Sequence, residues 1–326
     1  MKWQMKFYYI AVIALAFIFI IGCDDDNDSI TGFERGKLTW ERIYSSDGTY
    51  YNSMSVSADG ILYVGTRSNI LRYDENVDSM VVVREGDGVK SLAISKNGTV
   101  YAGSDRGMLR SSNGGQDWED INTGLESAAI WDIDINGADD IFIATGKGTF
   151  VSSNNGKNWS SLTIDSTVSF VQSLAVSPNG SLFATDGRRK GVYRSNNNGL
   201  SWSKVIDSLA FNIAINSQED IFAGVFKQSW NSYDIIRSTD EGVTWKEIDP
   251  FTNNNFVYSI VFDSQDDVYI VNKLGILRSF DNGDTWIAAN DGLPAPYIRT
   301  MVVSKNDVFY CGVDFDGIFR GTFDRK

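Results

Sequence analysis

The chain has 326 residues and is acidic, with 29 lysines and arginines against 42 aspartates and glutamates, a net charge of −13, no histidine and two cysteines. A surface this negative repels nucleic acid, and the missing histidine removes the commonest general base, the commonest transition-metal ligand and every Ser-His-Asp catalyst. With Cys23 assigned below to other chemistry, Cys311 has no disulfide partner, a cysteine zinc site is unavailable, and neither metal nor cofactor is expected.

In chain order, Lys2 and Lys6 precede an uninterrupted apolar run of 15 residues, Phe7 to Ile21. That length suits the core of a signal peptide and is short for a spanning helix, which needs about 20 residues. The run ends in Ile20-Ile21-Gly22-Cys23 and drops at once into Asp24-Asp25-Asp26-Asn27-Asp28. This junction resembles the lipobox of bacterial lipoproteins, which implies cleavage before Cys23 and acylation of its thiol. The other reading is an uncleaved anchor helix. Each buried methylene contributes about 0.8 kcal/mol, so two or more acyl chains hold a protein on a bilayer without a transmembrane segment. The acidic run resembles the signal that carries Bacteroidota lipoproteins to the outer-membrane surface; an aspartate after the cysteine in enterobacteria implies retention on the inner membrane instead. Cleavage removes Lys2 and Lys6, so 27 cations face 42 acids and the net charge becomes −15. The expected organisation is a signal peptide over 1–22, an acidic tether over 23–36 and a folded, monomeric domain over 37–326.

Internal repetition sets the fold. A pattern Ser-x-Asp/Asn-x-Gly-x-polar-Trp occurs five times, beginning at Ser111, Ser152, Ser195, Ser238 and Ser279, with spacings of 41, 43, 43 and 41 residues. Its members include Asn113 and Trp118, Asn154 and Trp159, Asn197 and Trp202, Asp240 and Trp245, and Asp281 and Trp286. An Asp or Asn that accepts backbone amides, a glycine able to take positive φ and a tryptophan that packs beyond the turn describe a tight hairpin, a structural device. Upstream of each box, alternating strands and short turns recur, as in Ser91–Ser95, Lys96-Asn97-Gly98, Val100–Gly103 and Met108–Arg110. Four antiparallel strands in about 42 residues make one propeller blade. Degenerate units lie at Ser53–Val83 and Thr300–Phe323, and the strand missing from the last is supplied by Leu38–Ile43. The expected fold is all-β: a seven-bladed β-propeller of four-stranded antiparallel blades, closed by the N-terminal strand, a device that removes an exposed sheet edge.

The boxes resemble the BNR, or Asp-box, repeats of sialidases, some endoglucanases, sortilin-type receptors and a photosystem assembly factor. The resemblance implies a propeller whose boxes lie on one face while ligands meet the opposite, top face. Fold alone does not assign an activity. Two top-face segments stand out. Asp186–Gly191 holds the basic cluster Arg188, Arg189 and Lys190, and Phe226–Asp234 holds Lys227, Gln228, Trp230, Asn231 and Tyr233. The second suits stacking on a sugar or anchoring a protein partner; alternatively, Trp230 folds back into its loop.

Aligned inner strands give one channel-facing ring of Ser53, Ser91, Asp132, Ser173, Asn212, Ser259 and Thr300 and another of Ser55, Ala93, Asp134, Ala175, Ala214, Val261 and Val302. Asp132 and Asp134, preceded by Trp131, are the only charges in either ring, and i, i+2 spacing puts both on one strand face. They are candidate acid/base groups, or structural hydrogen-bond acceptors. Arg72, Arg110, Arg194, Arg237, Arg278 and Arg320 recur with the repeat and so spread round the rim, unlike a converging sialidase triad. Cys311 aligns with Ala102, Ala144, Ala184 and Ala223 as a small core residue. Neither the triad nor a Tyr/Glu pair for a sialidase is found. The expected function is therefore non-enzymatic presentation of a glycan- or protein-binding face, with a glycoside hydrolase or an assembly factor as the alternatives.

Overall fold

The computed structural model describes residues 36–46, 48–125, 129–188, 191–227, 232–248, 256–294 and 297–323. Over these, seven four-stranded antiparallel sheets form the seven blades of a β-propeller. Blades 1 to 6 begin with the inner strands Tyr51–Val56, Val89–Ile94, Ile130–Ile135, Val171–Val176, Leu209–Ile215 and Val257–Phe262. Blade 7 takes three strands from the C-terminal end, Ile298–Val303, Phe309–Val313 and Gly317–Phe323, and its outer strand, Leu38–Ser45, from the N-terminal end. Leu38 pairs with Phe323 and Ser45 with Gly317, so the ring is closed by hydrogen bonds between the two ends of the domain.

The core lies between blades. Second strands such as Leu62–Thr66 and Ile141–Thr145 are buried at every residue, because both faces of each blade pack against neighbours. In one layer Tyr63 and Ile70 of blade 1 meet Val89, Leu92 and Ala102 of blade 2. Close approach needs small residues: a Cβ on Gly103 would lie 2.6 Å from Ile130 Cγ2 of blade 3. Cys311, fully buried, pairs across its blade with Met301. The register places it level with Ala102, Ala184 and Ala223. Ala144 is not in that column: it pairs with Asp132, and Ile143 occupies the level of Cys311. Branched Ile143 and thiol-bearing Cys311 fill the same core layer, so matching alanine to alanine places Ala144 one residue out of register while the inner strand of that blade aligns as expected.

The boxes are hairpin turns on the bottom face. Ser111 Oγ accepts the amide of Gly115 at 2.9 Å, Asn113 Oδ1 accepts that of Asp117 at 2.9 Å, and Trp118 Nε1 donates to the Gly115 carbonyl at 3.1 Å. The last box repeats this with Ser279, Asp281 and Trp286 at 2.7, 2.7 and 3.0 Å. Trp159 instead inserts between blades, 6% exposed, and donates to Ile121 O at 2.7 Å. Trp40 does likewise to Ala289 O in the closing blade, at 2.8 Å. The recurrent arginines serve this face: Arg110 donates to Asn155 O, Arg194 to Glu241 and Arg237 to Asn282 O, each in the next blade's box.

Candidate functional site: the top-face cup

All seven inner strands slip register at one place, between Tyr51/Ser53, Val89/Ser91, Ile130/Asp132, Val171/Ser173, Ala210/Asn212, Val257/Ser259 and Ile298/Thr300. An extra residue opposite a single partner leaves the ladder and its side chain is re-aimed. Here the skipped residues are Asn52, Lys90, Trp131, Gln172, Phe211, Tyr258 and Arg299, and all seven line one top-face cavity of about 670 Å³. That is ample for a small ligand, since such sites run about 300–1,000 Å³. Arg67 and Asp105, from loops joining second and third strands, complete the wall.

The cup is lined by cations and aromatic rings that hold one another. Lys90 Nζ sits 3.6 Å from the Trp131 ring centroid and 2.7 Å from Asp105. The guanidinium of Arg67 lies 3.8 Å from the Tyr50 centroid and that of Arg299 lies 5.2 Å from it. Arg299 Nε also reaches the nearly buried carboxylate of Asp314 at 2.5 Å. Trp131 meets Phe170 edge-on at 5.3 Å, and Arg188 lies 6.0 Å from the same Phe170 with Nη1 3.2 Å from Ser169 Oγ. On the opposite wall Phe211 contacts Phe256 at 4.7 Å and Tyr233 at 5.7 Å, and Phe256 contacts Tyr258 at 5.0 Å.

Below the cup the channel narrows to a throat lined by Ser53, Ser91, Asp132, Ser173, Asn212, Ser259 and Thr300. Its serines join blades: Ser53 Oγ accepts the amide of Leu92 at 2.9 Å and Ser91 Oγ that of Ile133 at 3.1 Å. Asp132 fills this post twice over. Its Oδ1 accepts from Ile133 N at 2.9 Å and Ser91 Oγ at 3.3 Å, and its Oδ2 accepts from Ser173 Oγ at 2.8 Å and Leu174 N at 3.1 Å. Asp134 accepts from Ile135 N at 2.8 Å and Val176 N at 2.7 Å. Burial pushes the Asp132 carboxyl above its usual range, against the pull of those donors. Burial, with Asp132 adding to it, pushes Asp134 up to about 7 despite its two amide donors. Every carboxylate oxygen of the pair is thus committed to tying blade 3 to itself or to its neighbours.

The sequence candidates separate accordingly. Trp131 and Asp132 line the cup, with Arg188 behind Phe170 beside them. Tyr233 is placed in a strand, Ser232–Ser238, rather than in a loop beginning at Phe226: it pairs with Phe226, ring centroids 5.0 Å apart, while Lys227 bridges to Asp234 at 3.1 Å. It supports the aromatic wall. Cys23, Arg189, Lys190, Trp230 and Asn231 lie outside the described residues. Lys90, Phe211, Tyr258, Arg299 and Arg67 escaped sequence reasoning. The signal was one column to the left of the aligned ring: the residue before each channel-mouth position is the most chemically varied in a strand that otherwise repeats.

No protein-family profile and no curated protein matches the sequence. Solved structures match the fold. The extracellular domain of a putative one-component system from B. thetaiotaomicron superposes with a TM-score of 0.72 at 12% identity, over 88% of this chain and 40% of that one. YCF48 from Cyanidioschyzon merolae gives 0.70 at 15% identity, over 87% and 98% of the two chains. A GH74 xyloglucanase from Xanthomonas campestris gives 0.67 at 15%, over 86% and 53%. At such identities the likeness is one of fold: the chain is a seven-bladed β-propeller, and it spans well under two thirds of the bacterial proteins named here.

Proposed function

We propose that this chain is a lipid-anchored propeller that works by binding, displayed on the bacterial outer membrane, with a glycan or protein ligand entering the top-face cup. The anchor rests on the apolar run ending in Gly22-Cys23. No helix among the described residues is long and apolar enough to cross a membrane. The binding reading is carried by one observation: seven blades place seven chemically different side chains, by the same bulge, around one cavity. A repeat that served only packing would keep that position uniform, as it keeps the box serines. YCF48 has also been seen bound to D1 peptide, a propeller of similar size carrying a ligand.

The glycoside hydrolase reading draws on the raised Asp132 carboxyl. Glycosidases usually need one carboxyl free to protonate a leaving group and a second free as base or nucleophile. Both oxygens of Asp132 are taken by serine hydroxyls and backbone amides, so binding is favoured. Membrane-extracted full-length chain, applied to glycan and peptide arrays beside Trp131→Ala, tests the proposal. Loss of signal in the variant supports it, and equal signal removes the cup from the account. Globomycin treatment followed by mass measurement tests Cys23: persistence of the uncleaved precursor is expected, and an unchanged mature mass would contradict lipidation.

A further inference from the structure

The charges facing the cup narrow the chemistry it can select. Two sets of loops differ in the charge they carry, although the top face also holds acids such as Asp87, Asp105, Asp314 and Asp316. Five of the seven loops joining second to third strands, all on the top face, carry a cation: Arg67, Arg106, Lys147, Arg188 and Lys273. On the bottom face, five of the seven turns joining first to second strands carry an acid, as at Asp59, Asp139, Glu219, Asp266 and Asp307. The bottom acids are used in stitching blades: Asp266 accepts from Ser217 and Asp307 from Ser264, through both backbone and hydroxyl, at 2.6–3.0 Å.

Within the cup the carboxylates are spent. Asp105 faces Lys90, Asp132 is saturated by four donors, and Asp314 lies beneath Arg299 with its side chain 4% exposed. The cations are not spent equally. Arg299 uses Nε on Asp314 and remains half-exposed, and Arg67 is exposed with no carboxylate in ion-pair range among the described residues. Both guanidiniums rest against Tyr50, which fixes their planes and lowers the entropy lost when they grip a ligand. A planar donor fork held in this way matches a carboxylate or sulfate.

Trp131 on one wall and Tyr258 on the other are 36% and 39% exposed, aromatic surfaces of the kind that stack on sugar rings, with Lys90 covering one face of Trp131 and the Asn52 and Gln172 amides lining the same cavity. A cavity of about 670 Å³ is in the range of small-ligand sites, whereas a protein partner commonly needs about 800 Å² on each side. A single sugar residue with an acidic substituent fits both features.

We infer that the cup is a receptor site for an acidic saccharide, its carboxylate or sulfate held by Arg67 and Arg299 and its ring stacked on Trp131. This rests on the binding reading above. The test is calorimetric titration of the full-length, detergent-extracted chain with four probes: an oligogalacturonate, its methyl ester, a sulfated carrageenan oligosaccharide and an Asp/Glu-rich peptide. Each is repeated with Arg67→Gln, Arg299→Gln and Trp131→Ala, alongside thermal unfolding.

At least one acidic saccharide should bind, tenfold or more tightly than the neutral ester, since a charge-assisted contact contributes about 1.5–3 kcal/mol. Arg67→Gln should lose about tenfold with an unchanged unfolding midpoint, and affinity should weaken with salt. Equal binding of ester and acid, with loss in Trp131→Ala, would overturn the anionic assignment and leave the cup standing. Binding untouched by any cup variant would overturn both. Preference for the peptide, or no saccharide binding, would overturn this inference alone.

Discussion

Two tryptophans mark the two halves of this molecule. Trp159 belongs to a bottom-face box, is 6% exposed, and spends its indole N–H on the carbonyl of Ile121 in the preceding blade. Trp131 stands on a bulge at the top, is 36% exposed, and offers its ring to the cavity with Lys90 at its face. A tryptophan stands at the position of the first in all five boxes, four of them bonding their own box glycine where Trp159 reaches the preceding blade; the second occurs in one blade of seven. Repetition therefore marks what every blade needs to fold, and divergence at a geometrically equivalent position marks what the assembled ring presents.

The contrast is broken most forcefully by truncating the buried member. Trp159→Ala should destabilise the domain by about 3–5 kcal/mol, the range for a buried aromatic, seen as a lower denaturant midpoint. Ligand binding measured well below the transition should be kept. Arg278→Ala should come close behind. Arg278 is 2.8 Å from Asp267 with both nearly buried, and it lies 4.0 Å from the Phe280 centroid. Removing it leaves buried charge unpaired, a loss of about 3–5 kcal/mol. A variant as stable as the native chain would show that this blade is not held as described.

A smaller effect separates the throat from both faces. Asp134 is raised to about 7 in the folded state. The unfolded chain releases this proton near pH 4 while the folded chain keeps it, so stability should fall as pH climbs from about 4 to about 7. Asp134→Ala, which installs the residue found at this level in blades 2, 4 and 5, should flatten that part of a urea-midpoint profile. An unaltered slope would place the titration elsewhere. The opposite sign is expected at Asp240, whose carboxyl is held low by the Thr244 hydroxyl and amide and by the Ser238 hydroxyl. Its small contribution is present above the ordinary carboxylate range and lost as pH falls through the lowered value, and Asp240→Ala should remove it.

Much of the ring was legible because its physics is local. The Ser-x-Asx-x-Gly-x-polar-Trp turn closes its own hydrogen bonds within eight residues, so it survives as a pattern, and the orphan strand at Leu38 had to pair with a blade lacking one. The cup was not legible for an equally physical reason. A bulge is a register shift of one residue, invisible to an alternation that reads Lys90 or Phe211 as ordinary neighbours of the channel ring. Tyr233 was misplaced into a loop because its strand is lengthened by a cross-strand pair with Phe226 that neither residue announces alone. Asp132 drew notice as a charge in a neutral ring, but its four donors come from three different blades and meet only on closure.

The most direct measurement is binding and unfolding of Trp131→Ala and Trp159→Ala side by side, on the oligosaccharide or peptide that the arrays select. A crossed result is expected: Trp131→Ala loses binding with an unfolding free energy within about 1 kcal/mol of native, while Trp159→Ala unfolds early and still binds. A Trp131→Ala chain that binds as the native protein does would contradict the assignment of the top-face cup.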